Sequence, residues 1–221
     1  SRAGMADITL QRKNMVESQV RPSDVTDRRI TAAMLDVARE TFVPDTVKPL
    51  AYMDDSLEVA PSRRIMAPRT FARLLQLASI EVSDNVLDVG AAGGYSAAVL
   101  SRLSHKVVAL EQDSGLAASA KTALAAAGAQ NVTVVSGDLA AGHPPGAAYD
   151  VIVIEGQVEV IPQSLIDQLG VGGRLVAIVS DGGAPQAVVL KKSQSGIARR
   201  IGFDAAAPRL PGFDKPKSFV F

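Results

Sequence analysis

From Asp24 to Val37 the apolar residues Val25, Ile30, Ala33, Met34 and Val37 recur at helical spacing. Ser23 or Asp24, just after Pro22, is placed to cap that helix. Phe71, Leu74, Leu75 and Ala78 share one face of a second helix that begins at Ala67 or Pro68 and runs to Leu77. Pro44, Pro49, Pro61 and Pro68 punctuate the connection between the two. Residues 6–80 therefore read as a helical cap with an extended, proline-bounded loop over 52–66. The tetrapeptide Ser1-Arg-Ala-Gly4 before Met5 reads as an appended segment and is set aside.

After residue 80 the texture changes to short apolar runs alternating with Ala-rich helical stretches. Runs at 86–89, 107–110, 132–135, 151–154 and 175–179 predict strands, with helices over 95–103, 114–127 and around 162–168. Continuous apolar strands separated by helices indicate a parallel sheet covered on both faces. Two later segments, Ala187–Leu190 and Ser218–Phe221, read as strands without an intervening helix and predict an antiparallel edge. The expected class is α/β, with cap and acceptor loop over 5–80 and the core over 81–221 as one structural unit.

With 221 residues, 47% of them apolar, the chain can bury a sizeable core. Aromatics are only 4%, so that core is built from Ala, Val, Leu and Ile. Lys plus Arg and Asp plus Glu both number 23, giving no basic footprint for nucleic acid. No polybasic run points to an anionic membrane surface, and no apolar run reaches membrane-spanning length. The absence of Cys excludes a thiolate nucleophile, a thiolate metal site and a disulfide framework. His105 and His143 have no companion ligands in the pattern, so no metal site is expected. The expected partner is a small molecule or peptide and the expected location is cytoplasmic; nothing in the pattern fixes an oligomeric state.

The strongest local motif is Val86-Leu-Asp88-Val-Gly90-Ala-Ala92-Gly-Gly94-Tyr95, at a strand-to-helix junction where open α/β sheets bind ligands. Glycine there permits positive φ and close backbone approach, and the helix starting near Tyr95 adds free N–H groups. Glu111 follows 21 residues after Gly90, at the next strand end, where a carboxylate can accept from both ribose hydroxyls. Asp138, after the third strand, can accept from an adenine amino group. Dinucleotide sites want G-x-G-x-x-G, whereas the third Gly here comes early, as Gly90-x-Ala92-x-Gly94. That spacing resembles the turn of S-adenosylmethionine-dependent methyltransferases, a Rossmann-like fold, and disfavours a nicotinamide-dependent oxidoreductase.

The chain resembles the protein-L-isoaspartate O-methyltransferase family over nearly its whole length. The matching strings are Asp27-Arg-Arg-Ile30, Ala33-Met34, Val37-Ala-Arg39-Glu40-Thr-Phe42-Val43-Pro44, Asp88 through Leu100, Glu111, Gly137-Asp138, Tyr149-Asp150 and Gln168 through Leu175. The resemblance implies methyl transfer from S-adenosylmethionine to the side-chain carboxylate of an isoaspartyl residue in a damaged protein or peptide, leaving S-adenosylhomocysteine. It implies a cofactor set of Ile65, Met66, Asp88, Gly90, Ala92, Gly94, Tyr95, Glu111, Gln112, Asp138 and Leu139. The family's Thr-Ile-Ser-x-Pro segment is replaced here by Arg64-Ile65-Met66-Ala67-Pro68, and Met66 has no hydroxyl to offer. The glycines that usually precede it are replaced by Pro61-Ser62-Arg63.

The acceptor side is accordingly open. Ser62 can supply a hydroxyl from a shifted position, and Arg63 and Arg64 can grip a carboxylate or form a solvated surface. Glu155, at the end of the fourth strand, can bind a cation, act as a base or cap the following turn. Two further readings stand beside the first: a methyltransferase with another acceptor, and a cofactor-binding protein without catalysis.

Overall fold

The computed structural model describes residues 1–217. Helix α1 (Arg2–Met15) has Ser1 as its cap, the Ser1 hydroxyl accepting from Gly4 N, so the tetrapeptide set aside above forms the first turn. A π-turn and a 3₁₀ turn continue it to Ser23. The expected helix over 24–37 is shorter: α2 spans Arg28–Asp36, and its cap is Asp27, which accepts from Arg29 N. Asp24 cannot fill that role because it sits in the left-handed region (φ 64°), closing the preceding turn. Helix α3 (Pro68–Leu77) lies where the pattern puts it; Pro68 at its start forfeits no hydrogen bond. Burial of Phe71, Leu74 and Leu75 contributes about 1.5–3 kcal/mol each.

The stretch over 52–66 is not a plain extended loop. It holds an antiparallel hairpin, β1 (Leu57–Ala60) with β2 (Arg63–Ile65), that pairs with no other strand among the described residues. Leu57 and Val59 point inwards and Glu58 outwards. Alternation over only four residues carries too little signal to separate a strand from a loop.

The core is a seven-stranded sheet in the order β5-β4-β3-β6-β7-β8-β9. Its members are β3 (Asn85–Val89), β4 (Lys106–Glu111), β5 (Val132–Ser136), β6 (Tyr149–Val158), β7 (Leu169–Val179), β8 (Gln186–Ser193) and β9 (Gly196–Asp204). The first five are parallel and the last two antiparallel. The antiparallel edge is as expected, but β8 pairs with β9, which the pattern missed: Arg199 and Arg200 interrupt its apolar alternation on an exposed edge. The expected strand Ser218–Phe221 lies outside the described residues.

Alternate strand residues serve opposite faces. Val86, Val107, Val151 and Val176 pack under the cap with α3, α4 (Tyr95–Ser101) and α5 (Ser114–Ala126). Leu87, Leu110, Ile152 and Leu175 pack on the other face with α6 (Gln163–Ile166), Leu210 and Phe213. Helix α4 is buried from Tyr95 to Leu100, held between sheet and cap, which explains its lack of a polar face. No helix among the described residues is long and apolar enough to cross a membrane.

The cap docks onto the β3–α4 turn through Gly93, where an added Cβ would lie 2.3 Å from the carbonyl oxygen of Phe42. A backbone atom has no rotamer with which to give way. Gly93→Ala is therefore expected to lower stability by about 1–3 kcal/mol through overpacking. Urea unfolding midpoints of the two proteins measure this, and an unchanged midpoint would show that the cap is not seated there.

Candidate functional site

The C-terminal ends of β3, β4 and β6 converge below the cap. The chain leaves β3 through Gly90 (φ 87°) and Ala92 (φ 51°) and enters α4 from Gly94 (φ 102°). Gly90 N and Ala91 N both donate to Leu110 O, fastening the turn to β4. Gly94 packs against Ala120 and Leu124 of α5, leaving no comfortable room for a side chain. Ala92 holds a left-handed conformation that costs an L-residue about 1–2 kcal/mol.

That conformation aims Ala92 N at Glu111. The Glu111 carboxylate is completely buried at the end of β4 and its acceptor capacity is filled. Oε1 accepts from Ala92 N at 2.7 Å and Arg63 Nη2 at 2.6 Å; Oε2 accepts from Asp113 N at 2.9 Å and Arg63 Nη1 at 2.8 Å. Arg63, one of the two readings for which was a solvated surface, is thus buried in a two-pronged ion pair, while Arg64 is exposed and bonded to Ser56. Leu210 covers the turn: the Cβ direction of Gly90 meets Leu210 Cδ1 at 3.0 Å and Arg63 Nη2 at 3.2 Å. Leu210 is held by a strap in which Gln157 N donates to Pro208 O and Leu210 N donates to Gln157 O.

The cavity that remains is about 20 Å³ and is bounded by Arg39, Arg63, Met66, Gly90, Tyr95 and Glu155, among others. It has room for about one water molecule. A far larger open groove of about 890 Å³ lies between α5 and residues 36–45. It sits away from the strand ends and lacks their carboxylates, so the candidate site is the small cavity.

A second carboxyl group faces it. Glu155 is buried beside Asp88 and does not cap a turn as one reading had it. Burial, with Asp88 adjacent, pushes the Glu155 carboxyl well above the ordinary carboxylate range, and burial raises Asp88 as well. Asp88 Oδ2 accepts from Ser96 Oγ at 2.5 Å, whereas Asp88 Oδ1 and Glu155 Oε1 have no partner among the described residues. A proton held on Glu155 and shared with Asp88 satisfies both atoms and removes one buried charge.

Arg39 forms the wall opposite. It is fully buried without a carboxylate: Nε donates to Ala51 O at 2.7 Å, Nη2 donates to Met66 O at 3.3 Å, and the guanidinium stacks 4.6 Å from the Tyr95 ring centroid. Its signal in the sequence was the string Val37 to Pro44, which carried no role for it. Leu210 and Ser96 were likewise missed; their positions follow from the strap and the α4 register, neither of which a linear pattern reveals.

The other predicted site residues divide. Met66 is buried at the cavity and Ile65 half-buried beside it. Leu139 is buried, whereas Gln112 and Asp138 are exposed, Asp138 accepting from Ala140 N. Ser62 is exposed at the hairpin tip with φ 58° and does not bound the cavity, so it supplies no hydroxyl there. His105 is exposed and His143 half-buried, and no cluster of metal-ligating residues occurs among the described residues.

The family model for protein-L-isoaspartate (D-aspartate) O-methyltransferase matches residues 10–202. The chain belongs to this family. It is 42% identical over 169 residues to the protein-L-isoaspartate O-methyltransferase of Methanoculleus marisnigri, covering 76% of this chain and 77% of that one. A Rhodopseudomonas palustris relative of the same name is 40% identical over 81% of this chain and 73% of its own. Among solved structures, a protein-L-isoaspartate O-methyltransferase superposes with a TM-score of 0.79 at 24% identity, covering 91% of this chain and 66% of that chain. One from Plasmodium falciparum, in complex with S-adenosyl-L-homocysteine, gives 0.76 at 18% identity over 90% of this chain and 98% of its own. At these identities the superpositions establish the shared fold. Ser62 and Ala92 both hold left-handed conformations, the first within the segment Pro61-Ser62-Arg63 that departs from the family pattern.

The carboxyl pair has a signed consequence. An unfolded Glu releases its proton near pH 4.3, but buried Glu155 keeps it to higher pH. The Glu155 contribution to stability is complete below about pH 4.3 and is lost as pH rises towards the folded value. Glu155→Gln removes this penalty, so the variant should be the more stable at about pH 8, with the gap closing towards about pH 4. Urea midpoints across that range provide the check; a gap independent of pH would mean that Glu155 is ionised in the fold.

Proposed function

We propose that this chain transfers a methyl group from S-adenosylmethionine to the side-chain carboxylate of an isoaspartyl residue in a protein or peptide. The observation that carries the reading is the Glu111 carboxylate, buried at the end of β4 and oriented by Ala92 N and Asp113 N beside the Gly90 turn. Membership of the family over residues 10–202 supports the reaction.

The donor set fits the cofactor. Glu111 offers two oxygens in the spacing of a ribose diol, and Gly90 has no side chain to obstruct a nucleoside. Asp138 stands at the end of the next strand, within the pattern expected for adenine. The space is held by Arg63 and Leu210, both carried on short segments rather than on the sheet itself. When bound, S-adenosylmethionine supplies a methyl group already activated by its sulfonium.

The chain is left with positioning. An acceptor carboxylate is a nucleophile at neutral pH, so no general base is required and alignment is the main task. Met66 and Ile65 give the cavity an apolar wall. Arg39 fixes that wall by donating to Met66 O and clamps Tyr95 at the start of α4. Burial beside Asp88 raises the Glu155 carboxyl well above the ordinary carboxylate range, which weakens its repulsion of an incoming carboxylate. The cytoplasmic location expected from the sequence belongs to the same proposal.

A second reading, cofactor binding without isoaspartyl transfer, is favoured by Met66, whose thioether replaces a hydroxyl donor. Incubation with labelled S-adenosylmethionine and an isoaspartyl peptide decides between them. Label in the peptide, absent with the normal aspartyl peptide, is expected; binding without label would move the function to the second reading. Met66→Ser should raise kcat/KM on the isoaspartyl peptide about fivefold, the equivalent of one hydrogen bond of about 1 kcal/mol. Glu111→Ala should weaken S-adenosylhomocysteine binding by about 1–3 kcal/mol in calorimetry. Unchanged affinity in that variant would sink the ribose assignment.

A further inference from the structure

We propose that Arg63 is a built-in competitor for the cofactor: its guanidinium holds the place at Glu111 that the two ribose hydroxyls take, so that S-adenosylmethionine binds only after the β1–β2 hairpin withdraws it. The inference rests on the reading of Glu111 as the ribose acceptor.

Four observations carry it. First, Glu111 is saturated. Two of its four bonds come from backbone N–H groups that belong to the turn and to the start of α5, and the other two come from Arg63. Only the Arg63 pair can be exchanged without unfolding the sheet end. Second, the guanidinium edge presents two parallel donors, 2.6 and 2.8 Å from the two carboxylate oxygens. A vicinal diol makes the same pair of contacts with a single carboxylate, so the two donors exclude one another sterically and satisfy it equally. Third, Arg63 Nη2 and Leu210 Cδ1 lie against the bare face of Gly90, and only about 20 Å³ remains open. Pockets for ligands of this size run to roughly 300–1,000 Å³. Fourth, the carrier is not a strand of the main sheet, although Leu57 and Val59 pack beneath it. Strands of four and three residues pair only with each other among the described residues, and their tip, Pro61 and Ser62, is exposed. So few ladder bonds leave a hairpin marginally stable by itself, so what its displacement must overcome is the packing of Leu57 and Val59 and the Arg63 ion pair.

The ion pair has a structural reason to exist. With no ligand present, Glu111 would otherwise be a completely buried carboxylate with two backbone donors and no counter-charge, a costly arrangement. Arg63 neutralises it. On release, Arg63 joins exposed Arg64 at the hairpin surface, and the diol replaces its two donors. Apparent cofactor affinity is then the intrinsic affinity multiplied by the fraction of molecules in which the hairpin is open.

The test is calorimetric titration of S-adenosylhomocysteine into the full chain, Arg63→Gln and Arg63→Lys, each first shown to be folded by circular dichroism and a urea transition. Arg63→Gln is expected to bind at least tenfold more tightly than the parent. Arg63→Lys, which keeps the charge but loses the fork, should gain less. Adding Glu111→Ala to Arg63→Gln should abolish the gain. In stopped-flow mixing, the parent's binding rate should level off with rising ligand, limited by release of Arg63, whereas that of Arg63→Gln should keep rising. If Arg63→Gln does not fold, Arg63→Lys and the parent's kinetics carry the test. Binding by the parent that neither variant strengthens would overturn the competitor while leaving the cofactor reading in place. Absence of binding by the parent and by both folded variants would remove the cofactor reading and the competitor with it.

Discussion

A carboxylate with no access to water has to be supplied with donors by the protein, and the construction around Glu111 follows from that requirement. Ala92 N reaches it only because Ala92 adopts positive φ, and the turn can do so only between Gly90 and Gly94, which also lie in the left-handed region. The same turn exposes Gly93, whose missing side chain admits the Phe42 carbonyl and so seats the N-terminal cap. Asp113 N comes from the residue that caps α5, tying that helix to the same oxygen pair. One buried side chain thus fixes the relation of β3, β4, α4, α5 and the cap.

Among the buried ionisable groups of this small region, three are accommodated in different ways. Glu111 has a cationic partner in Arg63. Glu155 is pushed towards its protonated form, because burial and the neighbouring Asp88 both disfavour a second anion there. Arg39 cannot lose its charge; burial lowers its proton affinity, and two carbonyl oxygens and the face of Tyr95 disperse its charge. The result is a site with no net unpaired negative charge facing the cavity, which suits an anionic acceptor better than a cationic one. Of the roles open to Glu155, binding a cation is therefore the least compatible with its surroundings.

The parallel core was legible because its signals are long and redundant. Valine and isoleucine runs such as Val151–Ile154, separated by Ala-rich helical stretches, admit few architectures, and the glycine turn marked the junction that matters. That Gly90, Gly94 and Glu111 lie together was readable because the turn after β3 and the end of β4 are adjacent in a parallel sheet, where position along the chain translates directly into position in space. What escaped was set by tertiary contact. Arg63 reads as one of two arginines that could grip an acceptor carboxylate or face solvent, until the hairpin folds it onto a residue 48 positions away. Leu210 lies in a stretch without periodicity and acquires its place only through backbone bonds to Gln157. Strand β9 lost its signal because an exposed edge tolerates polar residues on both faces.

The departures from the family pattern fall together in space, and that proximity constrains how they are to be understood. Ser62, Arg63 and Met66 belong to the hairpin and the segment after it, and Ala92 lies opposite on the turn. Ser62 and Ala92 each hold a left-handed backbone conformation, at a cost of about 1–2 kcal/mol per residue. The two strained positions flank one contact: Arg63, next to Ser62, forks onto the Glu111 carboxylate that Ala92 N orients from the other side. In the reading proposed above, that contact sets the free energy a nucleoside must supply to enter.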